Sequence, residues 1–403
     1  MTVIVGEYAS GGQPAPASAA SSARLLAAGR SASAAAHLAA FGGRRGLRVD
    51  ELVRELERSG LTGRGGASFP AYLKLAATTG RRAPVVIGNG SEGEPWSWKD
   101  AVLLANAPHL VLDGLLTASA ALGARRTILY LDSRSVAPVS AAIAERSDAG
   151  GIELIAAEDR FIAGEASAVV NAIQNGVTAP VDRVRRLSES GVDGRPTLVH
   201  NVETLAHLAL VDRYGGDWFR SVGDPARPGT RLVTVTGDVA TEGVFEVATD
   251  LDVAAVVALA GGEARLASAV LLGGYHGQWI TAAETTAAPG DRAGAGVVHV
   301  LGAQRCGLAA TADIVAALAE ASAGQCGPCR FGLPALASRF ADLAAGRLAP
   351  AAAAEAARLA EAVDGRGSCH HPDGAARLVR SALRVFARDV HAHAEGHCAR
   401  SVR

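Results

Sequence analysis

Hydrophobic and polar positions follow three successive patterns along the 403-residue chain. In the first half, amphipathic helical segments alternate with short apolar runs. A weak helix is predicted around Ala19–Leu38, and a stronger one over Val49–Ser59, with Leu52 and Leu56 on its apolar face and Gly60 at its end. The segments that follow alternate between helix and strand: Ala71–Thr78, Pro84–Gly88, Pro108–Leu122, Thr127–Leu131, Ala137–Glu145 and Ile152–Ala156. This alternation predicts a parallel, Rossmann-like α/β layer up to about residue 215.

After Gly229 the pattern changes to short β-branched runs separated by glycine. The predicted strands are Arg231–Gly237, Gly243–Val247, Ser268–Leu272 and Val297–Leu301, with one helix at Asp252–Ala260. These segments predict a small β-grasp-type domain.

From Ala310 onward the pattern is helical and rich in alanine. The last helix is predicted to start at Pro372, because apolar residues recur at Val379, Leu383, Phe386 and Val390 on one helical face. We expect three or four helices packed as a bundle. The predicted domains are therefore residues 1–225, 226–305 and 306–403.

Composition narrows the function classes. The formal net charge is −1, whereas nucleic-acid-binding proteins usually carry a basic face, so nucleic acid is not an expected partner. Met1–Pro16 lacks the features of a signal peptide, and the longest apolar stretch, Leu103–Ala124, is interrupted by Asp113. We expect a cytoplasmic protein, or one that is peripheral to a membrane through a partner.

All five cysteines lie in the last quarter of the chain: Cys306, Cys326, Cys329, Cys369 and Cys398. An odd, one-sided set in a cytoplasmic chain favours metal or redox chemistry over a disulfide framework.

A glycine-rich loop, GRGGASFP at residues 63–70, precedes Lys74. Three glycines within four residues allow backbone N–H groups to approach an anion closely. The chain has only two lysines, Lys74 and Lys99, so a lysine beside this loop suggests a positioned charge.

Three further polar loops occupy residues 89–95 (NGSEGEP), 161–165 (FIAGE) and 196–204 (PTLVHNVET). The first two follow predicted strands, and ligands bind at the carboxyl ends of strands in open α/β sheets. Taken alone, the acidic loop at 89–95 is also compatible with an ordinary turn.

The four loops, in this order, resemble the flavin-bearing subunit of respiratory NADH dehydrogenase and the diaphorase subunits of NAD-linked hydrogenases and formate dehydrogenases. The family motifs are G-R-G-G-A-G-F-P with a downstream Lys, N-A-D-E-G-E-P-x-x-x-K-D, G-E-E-T and N-N-V-E-T, followed by cluster cysteines. The resemblance extends from about Ala19 to the C-terminus. It implies a Rossmann-like flavin domain, a ubiquitin-like β-grasp domain and a helical bundle with a 4Fe–4S cluster.

The resemblance also implies site residues. Glu94 and Glu165 would be catalytic, with Glu94 and Phe69 facing the nicotinamide nucleotide. The remaining cofactor-binding residues would hold FMN: Gly63, Arg64, Gly65, Gly66, Lys74, Asn89, Glu92, Phe161, Gly164 and Asn201.

The chain departs from the family at several positions. Ser91 replaces the Asp of the second motif, Ala166 replaces the second Glu of the third, and Ala77 replaces an aromatic residue after the loop lysine. These losses concern the dinucleotide more than the flavin, so either NADH or NADPH is a candidate substrate.

The cluster motif lacks one cysteine, because Ala323 occupies the position of the first. Cys326, Cys329 and Cys369 remain as ligands, and a 4Fe–4S cluster normally takes four. His370, His371, Cys306 and Cys398 are candidates for the fourth ligand. A zinc site with three cysteines and one histidine, or no metal, are the alternatives.

The resemblance implies an FMN-dependent NAD(P)H-oxidising subunit that passes electrons through its cluster to a partner. That partner would be a ferredoxin-like or thioredoxin-like 2Fe–2S protein, or a membrane redox protein. Electron flow in the reverse direction is one alternative. Another is a non-catalytic relay or docking module that has lost nucleotide binding.

Overall fold

The computed structural model describes residues 23–29, 33–80, 82–181, 185–347 and 349–398. The first helices are α1 (Ala34–Phe41), α2 (Val49–Ser59) and α3 (Ala71–Thr78). The last two match their predicted bounds. The helix predicted around Ala19–Leu38 is wrong over residues 23–29, which form bends and turns, and residues 19–22 and 30–32 lie outside the described residues.

Four parallel strands form the first sheet. They are β1 (Val85–Gly90), β2 (Arg126–Leu131), β3 (Ile152–Ala156) and β4 (Thr197–Asn201). Their order is β3-β2-β1-β4, so the chain changes direction across the sheet between β1 and β4. Ligands of open α/β sheets bind at this kind of switch point. Strand β4 occupies residues that the sequence had suggested were a loop.

Helices cover both faces of this sheet. They are α4 (Lys99–Asn106), α5 (Pro108–Leu122), α6 (Ser133–Ala144), α7 (Ala166–Asn175), α8 (Val202–Tyr214) and α9 (Gly216–Arg220). Helices α5 and α8 approach so closely that a Cβ on Gly114 would lie 1.8 Å from the Leu205 carbonyl oxygen. No single helix among the described residues is long and apolar enough to span a membrane. The pair α4 and α5 meets the length and composition test, but is bent by 95°.

A second, mixed sheet follows. A short hairpin of β5 (Gly223–Asp224) and β6 (Arg227–Pro228) leads into it. The sheet contains β7 (Thr230–Gly237), β8 (Gly243–Ala248), β9 (Ala269–Leu272), β10 (Gln278–Ile280) and β11 (Val297–Leu301), and α10 (Val253–Leu259) joins β8 to β9. The strand order is β10-β9-β11-β7-β8, in which only β7 and β11 are parallel.

The last part of the described chain is helical. It contains α11 (Gly307–Glu320), α12 (Leu333–Ala344), α13 (Ala349–Val363), α14 (His371–Val385) and α15 (Ala387–Ala394), and a π-helical turn at Pro328–Gly332 leads into α12. The single last helix predicted from the apolar repeat is wrong, because the chain breaks at Phe386 and places Val390 on α15.

The three regions share hydrophobic cores. Leu232 and Val244 of the mixed sheet are buried in the core of the first sheet and its helices. On its other side, Trp279 and Leu301 are buried with the bundle helices. The mixed sheet therefore lies between the parallel sheet and the bundle, and it contributes to the surroundings of the predicted site.

Candidate functional site

The glycine loop connects α2 to α3. The Gly63 N–H donates to the Phe69 carbonyl at 2.9 Å, and the Ala71 N–H donates to the Leu61 carbonyl at 2.9 Å. These bonds close the loop at its base. A Cβ on Gly65 would lie 3.2 Å from the Asn201 Cβ, so the loop packs against the end of β4.

The Arg64 side chain is buried and bound to protein. Its guanidinium donates to the carbonyls of Pro228 at 3.2 Å and Thr230 at 3.1 Å, and its backbone N–H donates to Thr204 Oγ1 at 2.9 Å. Burial lowers its pKa, opposed by the nearby Glu203 carboxylate. The Arg64 side chain thus ties the glycine loop to the mixed sheet, and the loop's backbone faces the predicted phosphate position.

Lys74 lies at the open edge of β4. Its Nζ donates to the Val199 carbonyl at 3.1 Å. The neighbouring His200 is 2% exposed, and its Nε2 has no hydrogen-bond partner. Burial, with a smaller contribution from Lys74, lowers the pKa of His200 to about 3. Sequence reasoning quoted His200 within its motif without giving it a role, since the family has asparagine there.

The loop after β1 contacts the Phe161–Gly164 turn at close range. A Cβ on Gly93 would lie 2.3 Å from the Phe161 carbonyl oxygen, and one on Gly164 would lie 2.8 Å from the Ser91 carbonyl oxygen. The Asn89 amide donates to the Gly164 carbonyl at 2.9 Å. Ser91 is 8% exposed, and its Oγ has no partner.

Glu92 caps helix α4. Its carboxylate accepts hydrogen bonds from the N–H groups of Asp100 at 3.2 Å and Ala101 at 3.3 Å, and from the Ser97 hydroxyl. Burial, with the Asp100 carboxylate, raises the pKa of Glu92 to about 7. Its side chain therefore has a local structural role in addition to the predicted cofactor contact.

Lys99 is buried in an ion cluster. Its Nζ lies 2.6 Å from Asp100 Oδ1 and 2.9 Å from Glu203 Oε2. Burial alone would lower its pKa, but Asp100, Glu203 and Glu92 together raise it. The Asn201 amide donates to Asp100 Oδ2 at 2.6 Å, which joins the end of β4 to this cluster.

The Glu94 carboxylate binds the mixed sheet. It accepts from the Tyr275 N–H at 2.8 Å and from the Trp96 N–H at 3.4 Å. Burial raises the pKa of Glu94 to about 8, despite these two hydrogen bonds. The predicted catalytic carboxyl thus lies in the contact between the β1 loop and the β9–β10 hairpin.

The other predicted catalytic carboxylate, Glu165, caps helix α7. It accepts from the N–H groups of Ser167 at 2.8 Å and Ala168 at 3.0 Å. Phe69, predicted to face the nucleotide, is 47% exposed at the end of the glycine loop. Gly66 adopts φ 104°, a conformation that favours glycine, and faces Gly294 of the mixed sheet.

Two histidines that contact Phe161 connect the β3 loop to the bundle. The Phe161 ring centroid lies 4.7 Å from His276 and 5.5 Å from His371. His371 Nε2 lies 2.7 Å from the Leu318 carbonyl, so this nitrogen carries the proton. His276 Nε2 then donates to His371 Nδ1 at 3.0 Å. Burial lowers the pKa of both rings.

Three of the cysteines form the group predicted to bind a cluster. Although burial opposes it, N–H groups of Cys329 and Ser368 lower the pKa of the Cys326 thiol. Within the described part of the chain, Cys326, Cys329 and Cys369 are not part of a set of three ligand atoms all within 4.8 Å of one another. Thiolates on one tetrahedral zinc ion lie about 3.8 Å apart, so this wider spacing suits a multi-iron cluster better.

The structure separates the candidates for the fourth ligand. Both ring nitrogens of His371 are engaged in the hydrogen bonds above. Cys306 precedes the first residue of α11, whereas Cys326 follows its last turn, and fourteen helical residues span about 21 Å. Cys398 lies with Cys306. His370 remains near the group: its Nδ1 lies 2.8 Å from Asp373 Oδ2, and its side chain is 77% exposed.

The residues at the switch point fit a phosphorylated aromatic cofactor. Ser91 Oγ and His200 Nε2 are buried polar atoms without protein partners, one at the end of β1 and the other in β4. Such atoms are rare in folded proteins, unless a ligand or water satisfies them. The glycine loop and Lys74 supply donors suited to a phosphate, and the Phe161 ring supplies an apolar surface.

Family models match two parts of the chain. Residues 56–210 match the Nuo51 FMN-binding domain, and residues 309–393 match the NADH-ubiquinone oxidoreductase-F iron–sulfur binding region. The first range contains all four polar loops, and the second contains Cys326, Cys329 and Cys369. The mixed sheet lies between the two matches.

Similar proteins carry related names. The alpha subunit of the NAD-reducing hydrogenase HoxS of Cupriavidus necator is 32% identical over 308 residues, which are 71% of this chain and 51% of that subunit. An F-type subunit of the NADH-quinone oxidoreductase of Rhizobium meliloti is 28% identical over 88% of this chain and 93% of that protein. The chain thus spans about half of the hydrogenase subunit and nearly all of the oxidoreductase subunit.

The fold is also shared with a solved structure. A crystal structure of an NAD+-reducing NiFe hydrogenase in the air-oxidized state superposes with a TM-score of 0.83 at 28% identity, covering 92% of this chain and 67% of that chain. The two matched domains and these relatives confirm the resemblance drawn from the motifs. The chain belongs to the family of flavin-bearing subunits of NADH-quinone oxidoreductases and NAD-reducing hydrogenases.

Proposed function

We propose that this chain is an FMN-dependent, NAD(P)H-oxidising subunit that passes electrons through an iron–sulfur cluster to a partner protein. The main support is the convergence of the glycine loop, the β1 loop, the Phe161–Gly164 turn and the end of β4 at one switch point. When bound, FMN would accept a hydride and release single electrons, and this chemistry belongs to the cofactor.

The chain's own residues would hold and orient the cofactor. The N–H groups of residues 63–66 and Lys74 would bind the phosphate, as glycine loops beside a helix do. Asn89, Ser91 and His200 would supply polar contacts at the strand ends. Gly93 and Gly164 keep the β1 loop and the turn in direct backbone contact, which fixes the position of Phe161.

A short route leads from the flavin region to the cluster region. Phe161 packs on His276 and His371, and His371 lies two residues after Cys369. Both imidazoles are held in one tautomer by hydrogen bonds that end at the Leu318 carbonyl. We propose that this pair forms the rigid, buried contact between the two redox centres.

For the cluster, we propose Cys326, Cys329 and Cys369 as three ligands and His370 as the fourth. Metal-bound histidines usually donate their other ring nitrogen to a carboxylate, as His370 does to Asp373. In His370→Ala we expect an altered electron paramagnetic resonance spectrum of the reduced cluster. An unchanged spectrum would exclude His370. His391→Ala, at an exposed histidine of α15, is the matched control.

The domain organisation belongs to the same proposal: a Rossmann-like flavin domain over residues 1–225, a β-grasp domain over 226–305 and a cluster-binding bundle over 306–403. The parallel contact of β7 and β11 in the centre of the mixed sheet supports the β-grasp assignment. A ferredoxin-like or thioredoxin-like 2Fe–2S protein, or a membrane-linked redox protein, would receive the electrons in the cytoplasm.

Flavin reduction in anaerobically purified protein tests the proposal. Stopped-flow mixing with NADH or NADPH should bleach the flavin absorbance with at least one nucleotide. Cys369→Ser should retain that bleaching while losing iron. A protein that binds FMN but is reduced by neither nucleotide would instead be a relay or docking module.

The nucleotide preference is a separate outcome of the same experiment. Ser91 replaces a family carboxylate, and Ala166 and Ala77 replace a second carboxylate and an aromatic residue. Loss of a carboxylate near a ribose would weaken rejection of a 2′-phosphate. We therefore expect comparable rates with NADPH and NADH, and restoring the carboxylate with Ser91→Asp should favour NADH.

A further inference from the structure

A second group of metal-binding side chains lies at the opposite end of α11 from the cluster cysteines. One ligand atom each from Cys306, His393 and Cys398 lies within 4.8 Å of the other two. Cys306 Sγ is 3.6 Å from His393 Nε2. His393 is 6% exposed, and both cysteines are half-buried.

The orientation of His393 suits metal binding. Its Nδ1 lies 3.3 Å from the Leu343 carbonyl. Because a carbonyl oxygen only accepts, Nδ1 carries the proton, and Nε2 directs its lone pair toward the thiol. Metal-bound histidines are commonly held in this way, by a hydrogen bond from the second ring nitrogen to a backbone carbonyl.

The spacing also matches a tetrahedral ion. Zinc–sulfur bonds of about 2.3 Å and zinc–nitrogen bonds of about 2.0–2.1 Å, at a tetrahedral angle, place sulfur about 3.6 Å from nitrogen. The observed distance between Cys306 Sγ and His393 Nε2 is 3.6 Å. Two thiolates and one imidazole form a ligand set that binds Zn²⁺, with the fourth position open to water or another ligand.

We propose that Cys306, His393 and Cys398 bind one zinc ion, separately from the iron–sulfur cluster. Binding would release the two thiol protons to solvent and form two zinc–sulfur bonds and one zinc–nitrogen bond. Cys306 lies where the mixed sheet joins the bundle, and the other two ligands come from α15 and the segment after it. The ion would therefore fasten the last helix of the described chain to the start of the bundle.

Zinc and iron contents of the full-length protein, purified without chelators and incubated with zinc chloride, test this site. We expect one zinc per chain, lost in Cys398→Ser and in His393→Ala with iron unchanged. Cys369→Ser is the matched control and should lose iron while retaining zinc. Cys398 lies beyond the last helix, so its variant keeps the test valid even where His393→Ala fails to fold.

X-ray absorption at the zinc edge provides the second measurement, with two sulfur neighbours expected at about 2.3 Å. Equal zinc content in wild type and Cys398→Ser would overturn the proposal. A disulfide between Cys306 and Cys398 in protein purified anaerobically, seen as a mass loss of two hydrogens without bound zinc, would also overturn it. Neither measurement depends on flavin or nucleotide, so the proposed function can fail independently.

Discussion

Glu94 allows a direct test of how the site is built. Its carboxyl group is enclosed by the β1 loop and the β9–β10 hairpin, where it accepts hydrogen bonds from Tyr275 and Trp96. Burial raises its pKa from 4.5 to about 8. Between these values the folded chain keeps a proton that the unfolded chain has released. Stability at this group is therefore fully present below about pH 4.5 and is lost as the pH rises toward 8.

The size of the effect follows from the shift. At ~1.4 kcal/mol per pKa unit, a rise from 4.5 to about 8 sets an upper limit of about 5 kcal/mol. Local relaxation and water entry reduce this limit, and we expect about 1–2 kcal/mol between about pH 5 and pH 8. Glu94→Gln stays neutral at every pH and keeps an oxygen that can accept from the Tyr275 N–H. Its stability relative to wild type should therefore increase with pH.

Urea unfolding at several pH values measures this difference, because all other titrating groups are common to both proteins. Glu153→Gln is the matched control. A hydrogen bond from Arg126 lowers the pKa of Glu153, so that group's contribution changes only below about pH 4.5. Parallel stability curves for wild type, Glu94→Gln and Glu153→Gln above pH 5 would refute a buried, proton-retaining Glu94.

Three further substitutions test the fold around the site. Ser68 adopts φ 49° in the glycine loop, so Ser68→Gly should raise the free energy of unfolding by about 1 kcal/mol in thermal melts, and Ser68→Ala should not. Gly93→Ala would place a methyl group 2.3 Å from the Phe161 carbonyl oxygen, and the FMN retained through gel filtration should fall severalfold. Asp113→Asn would leave the buried Arg213 without its carboxylate and should cost about 3 kcal/mol in urea unfolding.

Much of the fold followed from local sequence signals. The predicted bounds of α2, α3, α5 and β3 match the structure, because glycine or proline marks an end of most of these segments. The four polar loops could be aligned with a family from their residue types and order alone. Their convergence at one switch point, however, required the strand order.

Other features could not be predicted, since they depend on contacts distant in sequence. Strand β4 has only three apolar residues or threonine before His200 and Asn201, and it becomes a strand by pairing with β1. The break at Phe386 contains neither glycine nor proline, and the apolar repeat continues across it. Similarly, spacing alone gave no reason to group Cys306 with His393.

The contacts divide the polar residues of the proposed site into two groups, and this division bears on which of them determine ligand preference. Glu92 and Glu165 cap helices, and Asp100 pairs with Lys99, so replacing any of them would disturb the fold as well as binding. Ser91 and His200, in contrast, bury polar atoms that satisfy nothing in the protein. Both stand where the family motif has another residue. These two positions can therefore change with little cost to the fold, and they are where this chain's preference among flavin and nucleotide ligands is most open to adjustment.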